Sequence, residues 1–393
     1  MNNSLKIKDK FYDMSSPTSK DFKKRMIESF GDVAYEDINV NWNHIDGFYF
    51  EFFSENIEEN YTIKIYDGNN LLLYETEIKS GMYVRLNRKF FNGIYFEVYK
   101  GDILIKKQTI TFKNKKVYIA FDSSSLGDTL AWMPYCEEFG KKHGCNVIVS
   151  TFMNNLFENQ YPNIKFIRPG EVAHDIVAMF KIGWYYDNHR EPEIPNTIPL
   201  QKAITNILGL EFNEIRPKLN FTPKDRPIEE KYVTICTSAT SGCKVWYDNY
   251  WQEIINHLNR KGYVVSLIQK EPNNNLYNVL DWTGDLPLED RMNEIYHSEF
   301  FIGLGSGVSW LSWAINKKVV MISNFSKDGH EFTDNTIRIT NTSVCNGCWN
   351  NPSFKFDKGD WYWCPVNKGT EKEFECHKSI TPQMVIDKIE HLL

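Results

Sequence analysis

At Lys115 the texture of this chain changes from two-residue alternation to short unbroken apolar runs, and that change limits its fold more than any other feature. Ahead of it, from Gly47, the segments GFYFEFFSE, YTIKIYDGNN, LLLYETEIK, MYVRLNRK, GIYFEVYKGD and ILIKKQTITF alternate apolar and polar residues, with turn pairs at Asp67-Gly68 and Asn92-Gly93. Successive side chains of a strand point to opposite faces, so this alternation predicts antiparallel strands with one buried face. Five or six strands in about 65 residues make a small all-β module, a sandwich or barrel-like unit. Its Tyr and Phe fit the core and interface area of a structural or assembly module better than a carbohydrate-binding surface. The first forty residues are polar and predict no strong element.

Beyond Lys115 the periods differ. KKVYIAF is a β-rich apolar run, DSSSLGD a loop, and TLAWMPYCEEFGKKHG has helical spacing up to Gly144; NVIVST and IKFIRPG are further buried strands. Strand, loop, helix, strand is the pattern of an α/β domain with a parallel sheet. A polar, Pro-containing tract at 213–230 reads as a linker. A second set follows: strand YVTICTS, helix WQEIINHLNRKG, strand YVVSLIQK, helix LEDRMNEIYHSE, strand FFIGLG, helix VSWLSWAINK and strand VVMIS. The closing TPQMVIDKIEHLL has a capping Thr381 and Pro382 at the first helical position. The expected organisation is a β-rich module over 1–112, one Rossmann-like domain over 113–222 and a second over 223–393. Two such domains in tandem bind ligands in the cleft between their carboxyl strand ends.

The chain has 393 residues, with 45 Lys and Arg against 51 Asp and Glu, for a net charge of −6. That balance argues against a basic nucleic-acid binder. The amino terminus has no apolar stretch of the secretory type, and the most apolar segment, 300–315, is shorter than the roughly 18–20 residues of a membrane-spanning helix. A cytoplasmic location without a membrane span is therefore expected. Cytoplasmic thiols stay reduced, so clustered cysteines there point to metal ligands before disulfides.

Three loops carry candidate chemistry. In Ser123-Ser124-Ser125-Leu126-Gly127-Asp128, Gly127 lets backbone approach a ligand and Asp128 can accept a proton at the lip of the cleft; the plainer reading of Asp128 is a helix N-cap. The loop from Thr237 to the lysine of Gly242-Cys243-Lys244 suits a diphosphate, with Lys244 as the point charge, although it lacks the Walker A spacing. The glycine-rich turn Gly303-Leu304-Gly305-Ser306-Gly307 aims backbone amides and a helix start at an anion, though close strand–helix packing also explains its glycines. Thr237 and the turn Trp282-Thr283-Gly284 are further candidates for donor contact.

Cys345 and Cys348 form a CxxC knuckle around Gly347, followed by Cys364 and, with eleven residues between, Cys376. Such a set matches a four-thiolate site within a finger at 340–378, ahead of disulfides or free thiols. The segment is polar and poor in aliphatic residues, so it needs a staple. Four thiolates suit zinc and iron alike, chemistry alone favours zinc, and no open position is implied, so the metal would be structural. His377 is a possible substitute ligand, with an ordinary surface histidine as the plainer reading. Cys136, Cys145, Cys236 and Cys243 are scattered and read as buried or incidental.

With its β-rich amino-terminal module, SLGDTLAW, GCKVW, GLGSGVSWLSWA and the four cysteines in this order, the chain resembles the bacterial autotransporter heptosyltransferases, or autotransporter strand-loop-strand O-heptosyltransferases. These are distant relatives of the lipopolysaccharide heptosyltransferases. The resemblance implies a GT-B-type pair of Rossmann-like domains and an inverting transfer of heptose from ADP-heptose to serines in the passenger domain of an autotransporter adhesin. It also implies iron (Fe3+) in the finger and a homo-oligomer, a dodecamer. By motif, Asp128 takes the role of general base, Lys244 holds the donor phosphates, Ser306-Gly307 lies at the diphosphate, and Cys345, Cys348, Cys364 and Cys376 are the finger ligands. The loop departs from the lipopolysaccharide enzymes, which read Asp-Thr-Gly with a following His where this chain has Gly305, Ser306, Gly307 and Trp310. The loop thus lacks the acid that would read the sugar. Two rival readings are another nucleotide-sugar glycosyltransferase, including a lipopolysaccharide-type enzyme, and a non-catalytic metal-stapled scaffold binding glycans or proteins.

Overall fold

The computed structural model describes residues 38–357 and 359–393, together with two short strands near the amino terminus, Ser4–Ile7 and Lys10–Asp13, which pair antiparallel. Most of the first forty residues, expected to form no strong element, lie outside the described residues; that pair and residues 38–40, which open the strand Ile38–Asn43, are the exceptions.

The β-rich module holds all six segments with two-residue alternation, plus the unforeseen strand Ile38–Asn43. Its strands form two antiparallel sheets, one of three strands (Ile38–Asn43, Tyr49–Ser54, Tyr83–Arg85) and one of four (Leu72–Ile78, Tyr61–Asp67, Ile94–Lys100, Ile103–Thr109). The barrel-like expectation therefore gives way to two facing sheets. Tyr61–Asp67 alternates strictly between buried and half-buried positions, and Phe50 and Phe96 meet edge to face at 4.8 Å between ring centroids. Such aromatic burial between two sheets, added to that of Ile63, Ile65 and Val98, offsets the cost of ordering the module.

The first parallel sheet runs in the order Ile164–Phe166, Asn146–Ser150, Lys116–Phe121, Ile176–Ile182. The last of these strands has no counterpart in the sequence reading, and neither does the helix Leu200–Leu208. The module is joined to this sheet: His44 pairs with Ala178, its amide donates to the Val177 carbonyl at 2.8 Å, and the two units share one apolar core. Helix Leu126–His143 closes with Gly144 in the left-handed region (φ +59°), where a Cβ would be strained. Residues 210–231 contain no helix or strand.

The second sheet has six parallel strands in the order Leu280–Asp281, Val264–Leu267, Tyr232–Ile235, Phe301–Leu304, Val319–Ile322, Thr336–Ile339. Its central strands are buried on both faces, which is why they read as unbroken apolar runs. The short flanking strands Leu280–Asp281 and Thr336–Ile339 carried no such signal. The final helix, Pro382–Ile389, is capped by Thr381, whose side chain accepts from the Met384 amide, and buries Val385 and Ile389. No helix among the described residues is long and apolar enough to cross a membrane.

Candidate active site

The two parallel-sheet domains meet through the starts of two helices. Helix Leu126–His143 leaves the first sheet after strand Lys116–Phe121, and helix Gly307–Ala314 leaves the second after Phe301–Leu304. Gly127 and Gly307 allow the approach: a Cβ at 127 would lie 3.0 Å from the Trp310 ring, and one at 307 would lie 3.1 Å from the Leu126 Cβ. The cleft between them is lined by Gly127, Asp128, Lys244, Ser306 and Gly307, so five of the expected residues converge from three loops.

Asp128 stands in the first turn of its helix, and Ser125, not Asp128, occupies the N-cap position. The aspartate is only 8% exposed. Ser123 Oγ donates to its Oδ2 at 2.6 Å and Trp184 Nε1 donates to the same oxygen at 3.0 Å. Among the described residues no hydrogen bond is made to Oδ1. Burial raises its proton affinity above that of an ordinary aspartate, while the two donors and the charge of Lys244 pull the other way. A carboxylate with one oxygen held, the other unpaired and its basicity raised by burial is suited to take a proton.

Across the cleft, Lys244 Nζ donates to the Gly305 carbonyl at 3.1 Å and lies 5.0 Å from the centre of the Phe325 ring. It forms no ion pair with an acidic side chain among the described residues. Ser306 Oγ is buried without a hydrogen-bond partner among the described residues. A cation, an unpaired hydroxyl and the start of helix Gly307–Ala314 together have the chemistry that suits an anion. Lys244→Ala should weaken ADP binding by about 10–100-fold, the worth of one charge-assisted contact, and isothermal titration would measure it.

Thr237, Thr283 and Gly284 gather elsewhere, around Gln269 and Arg291. The Thr237 amide and Oγ1 donate to Gln269 Oε1 at 2.9 and 3.1 Å, the Gly284 amide donates to the Gln269 carbonyl at 3.0 Å, and Arg291 donates to the Gly284 carbonyl at 2.9 Å. These residues follow neighbouring strands of the second sheet, apart from the Asp128–Lys244 cleft.

The cleft also contains residues that the sequence reading did not single out: Trp184, Phe325, His330, Glu331 and Trp349. Glu331 bears on the acid missing from the glycine-rich loop. A Cβ at Gly305 would lie 2.8 Å from Glu331 Oε1, so the cleft wall does hold a carboxylate, supplied by a later segment. Burial alone would raise Glu331, but Arg338 at 2.7 Å, His330 and Ser326 hold it down at about 2. No spacing rule links residue 331 to residue 305, so only packing could reveal it.

The finger lies against the Lys244 loop. The Cys243 amide donates to the Trp361 carbonyl at 3.1 Å, and a Cβ at Gly242 would lie 2.3 Å from the Trp361 ring. Cys243, Phe325 and Trp363 share a small apolar cluster with Cys348, Trp349 and Phe374 packed on it, so Cys243 is part of this support. Gly347 turns the CxxC knuckle in the left-handed region (φ +65°). Asn324, 1% exposed, ties the finger's two halves: its carbonyl accepts from the Gly347 amide and its Nδ2 donates to the Cys376 carbonyl. All four cysteines are free thiols. Among the described residues no three His, Cys, Asp or Glu side chains close into a metal cluster, so the expected tetrahedral arrangement is not formed. The thiols nonetheless sense one another: burial and then the charges of Cys345, Cys348 and Cys364 push Cys376 up to about 12. Asn367 Nδ2 donates to Cys345 Sγ at 3.3 Å, as an amide does to a thiolate. Four thiols are the donor chemistry that a soft metal ion takes, although the described residues do not gather three of them. His377 is not a surface histidine: it is 4% exposed, because its short helix packs inward, and burial lowers its pKa to about 4.

Comparison with known proteins follows the same lines. The Glycosyltransferase family 9 (heptosyltransferase) profile matches residues 205–360. The chain is 34% identical over 337 residues to the autotransporter heptosyltransferase Aah of Escherichia coli, covering 82% of this chain and 85% of Aah. It is also 34% identical to the autotransporter heptosyltransferase TibC of E. coli O78:H11, over 81% of this chain and 82% of TibC. The crystal structure of TibC, described as an iron-containing dodecameric glycosyltransferase, superimposes with a TM-score of 0.81 at 31% identity, covering 91% of this chain and 96% of that one. A TibC structure in complex with ADP-D-β-D-heptose gives a TM-score of 0.80. The Burkholderia thailandensis protein BimC, described as an inactive autotransporter heptosyltransferase, is 28% identical over 80% of this chain and 77% of its own length.

Proposed function

The chain belongs to the autotransporter heptosyltransferase family, and from that premise we propose that it transfers heptose from ADP-heptose to serine hydroxyls of an autotransporter passenger domain, with Asp128 as the base. The observation that carries this reading is the convergence of Asp128, Lys244 and the Ser306-Gly307 helix start in one cleft between two parallel-sheet domains, a GT-B-type arrangement. The donor diphosphate sits against Lys244 and the amides that open helix Gly307–Ala314. The acceptor serine approaches Asp128 and gives its proton to Oδ1 as its oxygen bonds to the anomeric carbon from the face opposite the diphosphate. The bond from that carbon to the phosphate oxygen breaks, and ADP departs with the electron pair, stabilised by Lys244 and the helix dipole. The product is inverted.

Iron in the finger, held by Cys345, Cys348, Cys364 and Cys376, belongs to the same proposal, with zinc as the chemical alternative; a metal bound there would brace the Lys244 loop and take no part in transfer. A dodecameric assembly is likewise proposed, on the strength of the TibC comparison, and a cytoplasmic location from the sequence alone.

Incubation with ADP-heptose and other sugar nucleotides, followed by mass spectrometry of an adhesin fragment, tests the donor. An added mass other than one heptose per modified serine overturns it. The second reading is a catalytically silent member, which the inactive relative favours; the unpaired Asp128 oxygen and Lys244, with no ion pair among the described residues, weigh against it. Because the base works ionised and burial raises its proton affinity, kcat/KM should fall as pH is lowered, with a midpoint above that of an ordinary aspartate. An acid limb with its midpoint at or below the ordinary aspartate value would exclude Asp128 as the base.

A further inference from the structure

Trp184 follows the strand Ile176–Ile182 and Gly183, at the end of the first sheet beside the base. Its Nε1 is one of the two donors on Asp128 Oδ2. Its ring does not stand alone. Trp349, the residue after Cys348, meets it edge to face with 5.4 Å between centroids and 78° between planes. Trp349 is itself held at several points. Its Nε1 donates to His330 Nε2 at 2.8 Å, and the opposite nitrogen, His330 Nδ1, donates to the Ile198 carbonyl at 2.8 Å. Its ring stacks on Phe325 at 5.5 Å, its amide donates to the Phe325 carbonyl at 3.1 Å, and its carbonyl accepts from Asn196. An unbroken set of contacts therefore runs from the cysteine finger to the catalytic carboxylate.

We propose that Trp184 is the positioning residue of the base, and that Trp349, carried into the cleft by the finger, holds Trp184 in place; this rests on the assignment of Asp128 as the base. Two donors on Oδ2 fix the rotation of the carboxyl group, which leaves Oδ1 unpaired to receive the proton. Without the indole N–H, the serine bond alone lets the group turn about its Cβ–Cγ axis. The finger then contributes to turnover through the geometry of Asp128 as well as through support of the Lys244 loop. Among the described residues, Lys244 of the opposite domain is the charge that acts on Asp128. His330 lies behind Trp184, with burial lowering its pKa so that it stays neutral.

The test uses full-length protein labelled with 13C at aspartate carboxyls, in which Asp128 is assigned by its loss in D128N. In Trp184→Phe the titration midpoint of Asp128 should move upward, since the lost N–H favoured the ionised form. Its kcat should fall by about 10–100-fold, while KM for ADP-heptose stays within about twofold. Trp349→Ala should move both readouts in the same direction and by less, with metal content unchanged, and it carries the test if Trp184→Phe does not fold. An unmoved midpoint together with an unchanged kcat overturns the proposal, as does a rise in KM alone. If the wild-type protein transfers no heptose but the midpoint still moves in Trp184→Phe, the positioning role stands and the donor reading falls.

Discussion

Asp128→Asn is expected to lower heptose transfer by about 10²–10⁴-fold, the usual worth of a positioned general base, with ADP affinity retained. The amide keeps the shape of the carboxylate and can still accept from Ser123 and Trp184 at its oxygen. It places an NH₂ where Oδ1 stood, and that group cannot take a proton from serine. The diphosphate site lies with Lys244 and Ser306 across the cleft, so nucleotide binding is spared. Single-turnover transfer measured beside ADP titration separates the two effects. A variant retaining more than a tenth of wild-type transfer would mean that another group accepts the proton.

Cys364→Ser should be the most damaging single change in the finger, because Cys364 is a buried member of the four-thiol set, 7% exposed. The segment around it has little aliphatic core, and its order depends on Asn324 and the aromatic cluster of Phe325 and Trp363. If metal completes that order, its loss should remove more than about 4 kcal/mol of local stability. Three results are expected together: loss of bound metal, rapid proteolysis within 340–378, and weaker ADP binding because Trp361 no longer supports the backbone at Gly242 and Cys243. Elemental analysis, limited proteolysis and titration would follow them. A variant that loses its metal yet binds ADP as the parent does would disconnect the finger from the phosphate loop.

Much of this site was legible in the sequence because its parts are local. A strand, a short loop and a helix start occupy consecutive residues, so Gly127-Asp128, Gly242-Cys243-Lys244 and Gly305-Ser306-Gly307 could be read as loop tips at strand ends. The topology of parallel sheets then brings such tips to one edge. Strands escaped notice where local pattern was weak: Leu280–Asp281 has two residues, and Thr336–Ile339 lies half-buried at the sheet edge. Ile176–Ile182 is different, since a lysine interrupts its apolar run, yet it pairs along the whole of Lys116–Phe121 and delivers Trp184. Its place is set by its neighbours more than by its own composition.

Periodicity and turn chemistry act over a few neighbouring residues, and for that reason the types of the strongly patterned elements, the order of the three loops, the base and lysine candidates and the four-cysteine set could be read from the residues alone. Packing between distant segments settled the rest: Trp184 donates to Asp128 across 56 positions, Glu331 lies beneath Gly305, Trp349 of the finger enters the cleft and His377 is buried. Each is a contact between side chains on separate elements. Such contacts depend on strand order and on close packing between layers, which no local repeat encodes.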